Sequence, residues 1–167
     1  MQVYEPSAVA DTLLLKWWTE IQENGELEDV FAPSAQTLHG FLSIFQPPTV
    51  LFWKLEPDAT GTLKVTSAIW FERFMADNTN MGMWVDSRYR HGRWWDDLIE
   101  VLRVVFQYTN LVIYMTKRRH VIESGLRVGF TDVGQIPYIY RGQAGWVAYL
   151  TKDVFEERYG ISDGNRQ

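Results

Sequence analysis

Arginines and a glycine separate a strand-like segment from a helix-like segment in the middle of the chain, in VDSRYRHGRWWDDLIEVL (residues 85–102). Arg88, Arg90 and Arg93 bring positive charge to the expected start of the helix. A helix N-terminus offers unpaired backbone N–H groups and the positive end of the helix dipole. This stretch therefore has the chemistry of an anion-binding turn.

The same stretch also has a purely structural interpretation. Asp96 and Asp97 fall in the first turn of the expected helix, where carboxylates stabilise the helix dipole themselves. They would compete with a bound phosphate for the positive end of the helix dipole. The stretch would then be a charged surface loop with a self-capped helix, and the loop taken alone favours this second interpretation.

Several other chemistries find no support in the sequence. The chain has no cysteine, which excludes disulfides, thiolate metal sites and cysteine nucleophiles. His39, His91 and His120 lack the spacing of metal ligands. Neither a Walker loop nor a nucleophile elbow occurs.

Charge and hydropathy narrow the functional classes further. The formal net charge is -5 and the pI about 5.2, which argues against a general nucleic-acid binder and is compatible with cationic substrates such as amines. No apolar run reaches membrane-spanning length, and the start lacks the basic segment of a signal peptide. A cytoplasmic location, without a membrane partner, is the default expectation.

Hydrophobic periodicity and turn residues predict the helices and strands that position the anion-binding turn. Helical patterns cover residues 7–21, 34–45, 95–106 and 117–130, with Ser7 as an N-cap, Ser34 as the start of the second helix and Gly129 as the C-terminal glycine of the last. Strand patterns cover residues 2–4, 49–56, 63–75, 81–85, 110–116, 136–140 and 145–151. The order β-α-α-β-β-β-α-β-α-β-β predicts one α/β domain over residues 1–152, with a C-terminal tail at 153–167.

This order of elements resembles the GNAT superfamily of acyl-CoA-dependent N-acyltransferases over residues 2–152. Two stretches carry the resemblance. MGMWVDSRYRHGRWWDDL (81–98) is similar to the family's fourth strand, cofactor loop and third helix, and SGLRVGFTDVG (124–134) is similar to its Gly-Phe helix ending. The resemblance implies a mixed central sheet of six to seven strands with about four helices. The chain also looks similar to degenerate GNAT-like proteins encoded by phages.

The resemblance further implies where acetyl-CoA, or another acyl-CoA, would bind. In such a fold the fourth and fifth strands, here 81–85 and 110–116, splay apart and seat the pantetheine arm. The pyrophosphate lies on backbone N–H groups at the start of the third helix. The implied cofactor-binding residues are Met83, Trp84, Val85, Arg88, Arg90, His91, Gly92, Arg93 and Trp94. The basic cluster 117–120 either touches the 3′-phosphate of coenzyme A or is a solvated helix face.

The chain departs from the family's pattern at several of these positions. Ser87 replaces the loop's usual proline, and Trp94 stands where a Gly or Ala lets phosphate approach the backbone. The tyrosine that often serves as the acid lies five residues before the Phe of Gly-Phe, and that position is Gly125 here. Two helix positions that commonly hold Ala and Asn are Val121 and Arg118.

Acyl transfer to an amine needs a base for the amine, a donor for the oxyanion and an acid for the thiolate. Glu72 is the candidate base, because burial in the apolar run AIWFERFM would raise its pKa. Tyr114, in the expected fifth strand, is the candidate acid, and Tyr138, Tyr140 and Tyr149 are further candidates. Glu72 has an alternative interpretation as an exposed edge residue, and Tyr114 as a core aromatic. A backbone N–H near Met83–Val85 is the implied oxyanion donor.

Two functions follow from this reasoning. The first is a GNAT-type N-acetyltransferase acting on a small-molecule or protein amine. The second is a catalytically inactive GNAT-fold binding or structural protein, such as a phage virion or accessory component located in the host cytoplasm or virion. Either leaves open a homo-oligomer or a protein assembly. An enzyme needs an open gap between the fourth and fifth strands, whereas a structural relic would have that gap filled by tryptophan side chains.

Overall fold

A computed structural model describes residues 1–31, 33–72, 77–90, 94–140 and 143–160. Along the chain these residues form β1 (Gln2–Val3), α1 (Ala8–Glu23), α2 (Leu27–Val30), α3 (Leu38–Ile44), β2 (Val50–Pro57), β3 (Leu63–Glu72), β4 (Thr79–Val85), α4 (Trp94–Val105), β5 (Leu111–Thr116), α5 (Arg119–Leu126), β6 (Thr131–Tyr140), β7 (Gln143–Thr151) and α6 (Lys152–Tyr159). Short 3-10 turns lie at Pro33–Ala35 and Ser87–Tyr89.

The strands form one mixed seven-stranded sheet in the order β1-β2-β3-β4-β5-β7-β6. Every neighbouring pair is antiparallel except β4 and β5, which run parallel on either side of the α4 crossover. The predicted α/β class and the mixed central sheet are therefore confirmed. The described residues contain six helices rather than about four. The two additional helices are short: α2 has no fully buried residue, and α6 lies in the segment predicted to be a tail and buries only Phe155.

Side-chain caps decide where the first helices begin. The Ser7 hydroxyl accepts a hydrogen bond from the backbone N–H of Ala10 at 3.2 Å, as the sequence predicts for α1. The second predicted start, Ser34, is wrong, because α3 begins at Leu38 and its cap is the Thr37 hydroxyl. The preceding turn folds back onto α3, so that a Cβ on Gly40 would lie 1.9 Å from the Ser34 carbonyl oxygen.

The end of α5 confirms the importance of Gly129. Its φ is 110°, in the left-handed region that favours glycine. The Phe130 N–H donates to the Gly125 carbonyl oxygen at 3.2 Å, and the Gly129 N–H donates to that of Leu126 at 3.1 Å. This is a Schellman ending, which directs the chain from α5 into β6.

The two faces of the sheet carry different cores. Helices α1 and α3 cover one face with an aromatic cluster that includes Trp17, Phe31, Phe41, Trp70 and Trp84. Helices α4, α5 and α6 cover the other face with a mostly aliphatic cluster, to which they contribute Leu98, Leu102, Val105, Ile122 and Phe155. Five of the eight tryptophans belong to the first cluster, whereas the other three, Trp94, Trp95 and Trp146, pack against the second. Within the described ranges, none of the helices has the length and apolarity needed to cross a bilayer.

Gly82 in β4 lies under the Trp70 indole, which gives the first testable prediction. A Cβ on Gly82 would lie 2.1 Å from a ring carbon of Trp70, which is 3% exposed and stacked on Phe31. We expect Gly82→Ala to lower the free energy of unfolding by about 1–3 kcal/mol, because the buried ring has little room to move. Urea denaturation followed by tryptophan fluorescence measures the change.

Gly125→Ala is the matched control for that substitution. Its Cβ would lie 3.6 Å from the Phe130 Cβ, an ordinary contact. Because glycine is a poor helix former, this variant should be as stable as the parent or more stable by up to about 1 kcal/mol. An unchanged midpoint for Gly82→Ala would contradict the placement of Trp70 over β4.

Candidate functional site

The parallel pairing between β4 and β5 ends partway along both strands. It runs from Thr79 opposite Val112 to Met81 opposite Tyr114, whereas β4 continues to Val85 and β5 to Thr116. Beyond Met81, β4 stays paired with β3, and beyond Tyr114, β5 stays paired with β7. The two halves of the sheet therefore separate, and backbone groups of β4 that would have paired with β5 face the gap between them.

A cavity of about 260 Å³ occupies this gap. Its walls come from β4, β5, the first turns of α5 and the end of α2. Tyr114 lies at the vertex where the pairing ends, is 8% exposed and lines the cavity. Trp94, the first residue of α4, lies on the wall, and its ring centroid is 3.4 Å from that of Trp95. The gap is therefore open, with tryptophan on its wall.

The structure brings most of the predicted residues of the described ranges together. Met83, Trp84, Val85, Arg90, Trp94 and Tyr114 all line the cavity. Arg88 is not among the described lining residues. His91, Gly92 and Arg93 lie outside the described residues, so their assignment to a phosphate-binding loop stays a prediction.

The candidate base, Glu72, lies at the closed end of the strand pair. Glu72 is half-buried and pairs with Asn80 of β4. Asn80 lies two residues before Gly82, where the gap opens. Its carboxylate accepts a hydrogen bond from the Trp70 indole N–H at 3.0 Å. Glu72 is not among the described residues that line the cavity, and its catalytic assignment also stays a prediction.

Arg88 belongs to a network of charges at the end of β4. Its guanidinium contacts the Asp86 carboxylate at 2.6 Å and the Glu20 carboxylate at 3.1 Å. Lys64 on β3 reaches the same Asp86 carboxylate at 2.6 Å. Burial by itself would raise the pKa of Asp86, but hydrogen bonds from Arg88 and Lys64 outweigh it and hold that pKa well below its usual range. In this conformation Arg88 fixes the turn after β4.

Arg90 lies against both β4 and the segment after α1. Its Nε donates to the Val85 carbonyl oxygen at 3.0 Å, which satisfies the last backbone acceptor of β4. Its terminal nitrogen forms an ion pair with Glu26. The Trp84 indole N–H donates to the other Glu26 oxygen at 2.8 Å. The side chain predicted to attract a phosphate is therefore paired with a carboxylate of the same chain.

The first turn of α4 shows how its acidic residues are accommodated. Asp97 pairs with Lys54 of β2 at 3.1 Å, and this hydrogen bond raises the pKa of Lys54. Asp96 is exposed. Of the two carboxylates expected to compete with an anion, Asp97 is therefore neutralised by Lys54 of the sheet.

Sequence reasoning missed part of the site. Asp29 and Val30 of α2, Thr116 of β5 and Ser124 of α5 also line the cavity. Of the basic cluster 117–120, Arg118 and His120 line it too, and their contact with a phosphate stays a prediction. The signal available was the acidic run ENGELED (residues 23–29), which begins at the last residue of α1, but a four-residue helix has no hydrophobic period from which to predict its position. Among the described residues, no cluster of His, Asp and Glu could hold a metal ion.

Comparisons with known proteins give matches in structure and none in sequence. No family model matches the chain, and no curated protein sequence is significantly similar to it. Spermidine N-acetyltransferase from Vibrio cholerae, in complex with CoA and spermine, has a TM-score of 0.68 at 9% identity, over 92% of this chain and 96% of that one. An uncharacterized protein from Bacillus halodurans has a TM-score of 0.67 at 14% identity, over 93% and 86%.

A third solved structure shares the same architecture. Aminoglycoside 6′-N-acetyltransferase complexed with coenzyme A has a TM-score of 0.66 at 12% identity, over 90% of this chain and 97% of that one. At such low identity the likeness concerns the fold. The fold of this chain is the GNAT fold, as the order of its sequence elements predicts.

The buried carboxylate of Asp86 gives the second testable prediction. Asp86→Asn removes the charge that Lys64 and Arg88 surround, at a side chain only 4% exposed, and should lower the free energy of unfolding at pH 7 by about 3 kcal/mol. The folded-state pKa is depressed, so this stabilisation is complete above the unfolded-state pKa of about 3.9 and is lost as pH falls towards the folded-state pKa.

Chemical denaturation between pH 7 and pH 2 tests both parts of this prediction. The stability of the Asp86→Asn variant should fall less steeply below about pH 4 than that of the parent, because the variant has no such carboxylate to protonate. Asp77→Asn, at an exposed position, should stay within about 0.5 kcal/mol of the parent. Equal losses at Asp86 and Asp77 would contradict the network.

Proposed function

We propose that this chain is an acyl-CoA-dependent N-acyltransferase that transfers an acetyl or other acyl group to an amine. The observation that carries the proposal is the open gap between β4 and β5, with Tyr114 at its vertex and β4 backbone along one wall. The GNAT fold supports it, because solved structures with this fold include N-acetyltransferases in complex with CoA.

The shape and polarity of the gap suit a linear, amide-containing pantetheine arm. Two paired strands are about 4.8 Å apart and leave no room for a ligand, so only strands that diverge can admit one. Backbone N–H and C=O groups along the unpaired edge of β4 would then pair with the amides of the arm, as a neighbouring strand would. Met83, Met115 and Val121 supply apolar contacts to the same space.

The reaction requires one bond to form and one to break. The amine lone pair attacks the thioester carbonyl, a C–N bond forms, the C–S bond breaks, the amine proton goes to a base, and the thiolate takes a proton. Acyl-CoA supplies the activated carbonyl. The chain supplies backbone N–H donors of β4 for the developing oxyanion and the Tyr114 hydroxyl as proton donor to the thiolate.

Three carboxylates are candidates for the base. Glu72, the sequence's candidate, lies at the closed end of the strand pair. The structure puts two other carboxylates at the open end: Asp29, which lines the cavity, and Glu26, which accepts from the Trp84 indole. Either can accept the amine proton directly or through a water molecule once its arginine partner is displaced.

A second candidate function is a GNAT-fold binding or structural protein without catalysis, such as a phage virion component. Two observations favour it: Arg88 and Arg90 are both paired with carboxylates of the chain, and Gly125 occupies the position of the usual acid. This alternative requires no acyl-CoA in the gap, so binding of acetyl-CoA separates the two functions.

Filling the gap gives the third testable prediction. Val121 of α5 is half-buried and lines the cavity, and a tryptophan at this position would occupy much of the 260 Å³. Calorimetric titration with acetyl-CoA should show binding to the parent and weakening by more than about tenfold in Val121→Trp. Val104→Trp, at an exposed position of α4, adds the same side chain and should bind like the parent. Equal affinities of the two variants would contradict the assigned gap, and no binding to the parent would refute the enzyme function.

Removal of the proposed acid gives the fourth testable prediction. Tyr114→Phe keeps the ring at the vertex and removes the hydroxyl, so acetyl-CoA should bind within about threefold of the parent while kcat falls about 100-fold or more. Activity is measured as thiol release with a panel of primary amines and polyamines. Tyr149→Phe in β7, which is opposite Ile113 and not among the described lining residues, is the matched control and should retain full kcat. Equal activities of the two variants would exclude Tyr114 as the acid.

A further inference from the structure

A short segment between α1 and the aromatic core crosses the open end of the gap. This segment, residues 25–30, is called the strap below. It starts at Gly25, whose φ of 67° makes it a turn point, and ends before Phe31, which is 2% exposed. Within the strap, α2 contains no fully buried residue, although Leu27 and Val30 pack partly against the core. The strap is thus anchored at its ends and weakly held between them.

Ion pairs join the strap to both sides of the gap. Glu26 pairs with Arg90, which follows β4, and Asp29 pairs with Arg118, which follows β5. The Lys117 ammonium also donates to the backbone oxygen of Glu28 at 3.4 Å. Arg90, Arg118 and Asp29 all line the cavity. The contacts that close the strap are therefore made by the cations that border the gap.

These pairs are of a kind that a stronger anion can displace. The side chains of Arg90, Arg118 and Asp29 are 42%, 38% and 45% exposed, whereas Glu26 is 17% exposed and also accepts from the Trp84 indole. Exposed ion pairs such as that of Asp29 with Arg118 change an equilibrium by only a few-fold each. A phosphate or diphosphate carries more charge than a carboxylate and accepts the forked N–H groups of arginine. The same two guanidinium groups cannot hold both partners fully.

We propose that the strap is an ionic latch, in which the phosphates of the acyl-CoA compete with Glu26 and Asp29 for Arg90 and Arg118, so that cofactor binding releases the strap. This inference rests on the proposed function and adds a regulation of the same site. Release turns the Glu26 and Asp29 carboxylates from partners of Arg90 and Arg118 into acceptors available to a cationic amine.

A carboxylate-side double variant tests the latch while keeping both arginines. Glu26→Gln with Asp29→Asn removes the internal competitors and should tighten acetyl-CoA binding about threefold to tenfold. Glu23→Gln with Glu28→Gln is the matched control, because it changes net charge by the same amount at exposed positions of the same region. Calorimetry gives the affinities, and hydrogen exchange gives the opening of residues 27–30.

The outcomes separate the latch from the proposed function. The latch predicts that acetyl-CoA accelerates hydrogen exchange in the strap of the parent, and that the Glu26/Asp29 variant binds more tightly than the control. Equal affinities of variant and control, or protection of the strap by acetyl-CoA, would overturn it.

If acetyl-CoA binds none of these proteins, the proposed function fails and inorganic pyrophosphate becomes the probe of the latch. The latch then stands if pyrophosphate accelerates strap exchange in the parent and the Glu26/Asp29 variant exchanges faster than the control without ligand. It falls if either difference is missing.

Discussion

The separation of β4 from β5 depends on which neighbour each strand keeps. Antiparallel pairing with β3 holds β4 as far as Val85, and antiparallel pairing with β7 holds β5 as far as Thr116. The parallel pairing between them covers only three residue pairs. Each half of the sheet twists with its own partners, and the divergence that results creates the cavity. The residues that line the cavity come from the two diverging strands and from the helices α2, α4 and α5 next to them.

The aromatic face of the sheet supports the open side of the gap. Gly82 has no side chain, which lets the Trp70 indole lie across β4, where it stacks on Phe31 at a centroid distance of 5.3 Å. Two residues further along β4, the Trp84 ring packs against Trp17, and its indole N–H reaches Glu26. The aromatic core thereby fixes both the edge of β4 and the point where the strap begins. The contacts that pack the aromatic core therefore also determine the geometry of the site.

The sequence predicts well those elements that have a strong period or a specific turn residue. The helix capped by Ser7, the ending at Gly129 and Phe130, and the hairpin of β2 and β3 all follow from local chemistry that tertiary contacts do not override. The start of α3 was mispredicted because Ser34 has the residue type of a cap, whereas the backbone fold over Gly40 makes Thr37 the cap. Periodicity gives no information on α2 or α6, which bury at most one residue each.

The site itself was only partly accessible to sequence reasoning. Residues of β4 and the tyrosine of β5 were predicted because the order of elements resembles that of a family in which the corresponding strands splay apart around the cofactor. The partners of Arg90 and Arg118 were not found, because Glu26 and Asp29 lie far from them in the chain and leave no local pattern. The arginines therefore suggested an anion site, whereas the structure adds the carboxylates that neutralise two of them. This difference is the basis for proposing that a bound anion competes with these carboxylates.

A crystal structure of the protein grown with coenzyme A tests the central claim most directly. The account predicts electron density for the pantetheine arm between β4 and β5, with its amides paired to the β4 backbone and its sulfur next to the Tyr114 hydroxyl. Coenzyme A bound elsewhere on the surface, or crystals in which β4 and β5 enclose no ligand at millimolar coenzyme A, would contradict the assignment of the gap as an acyl-CoA site.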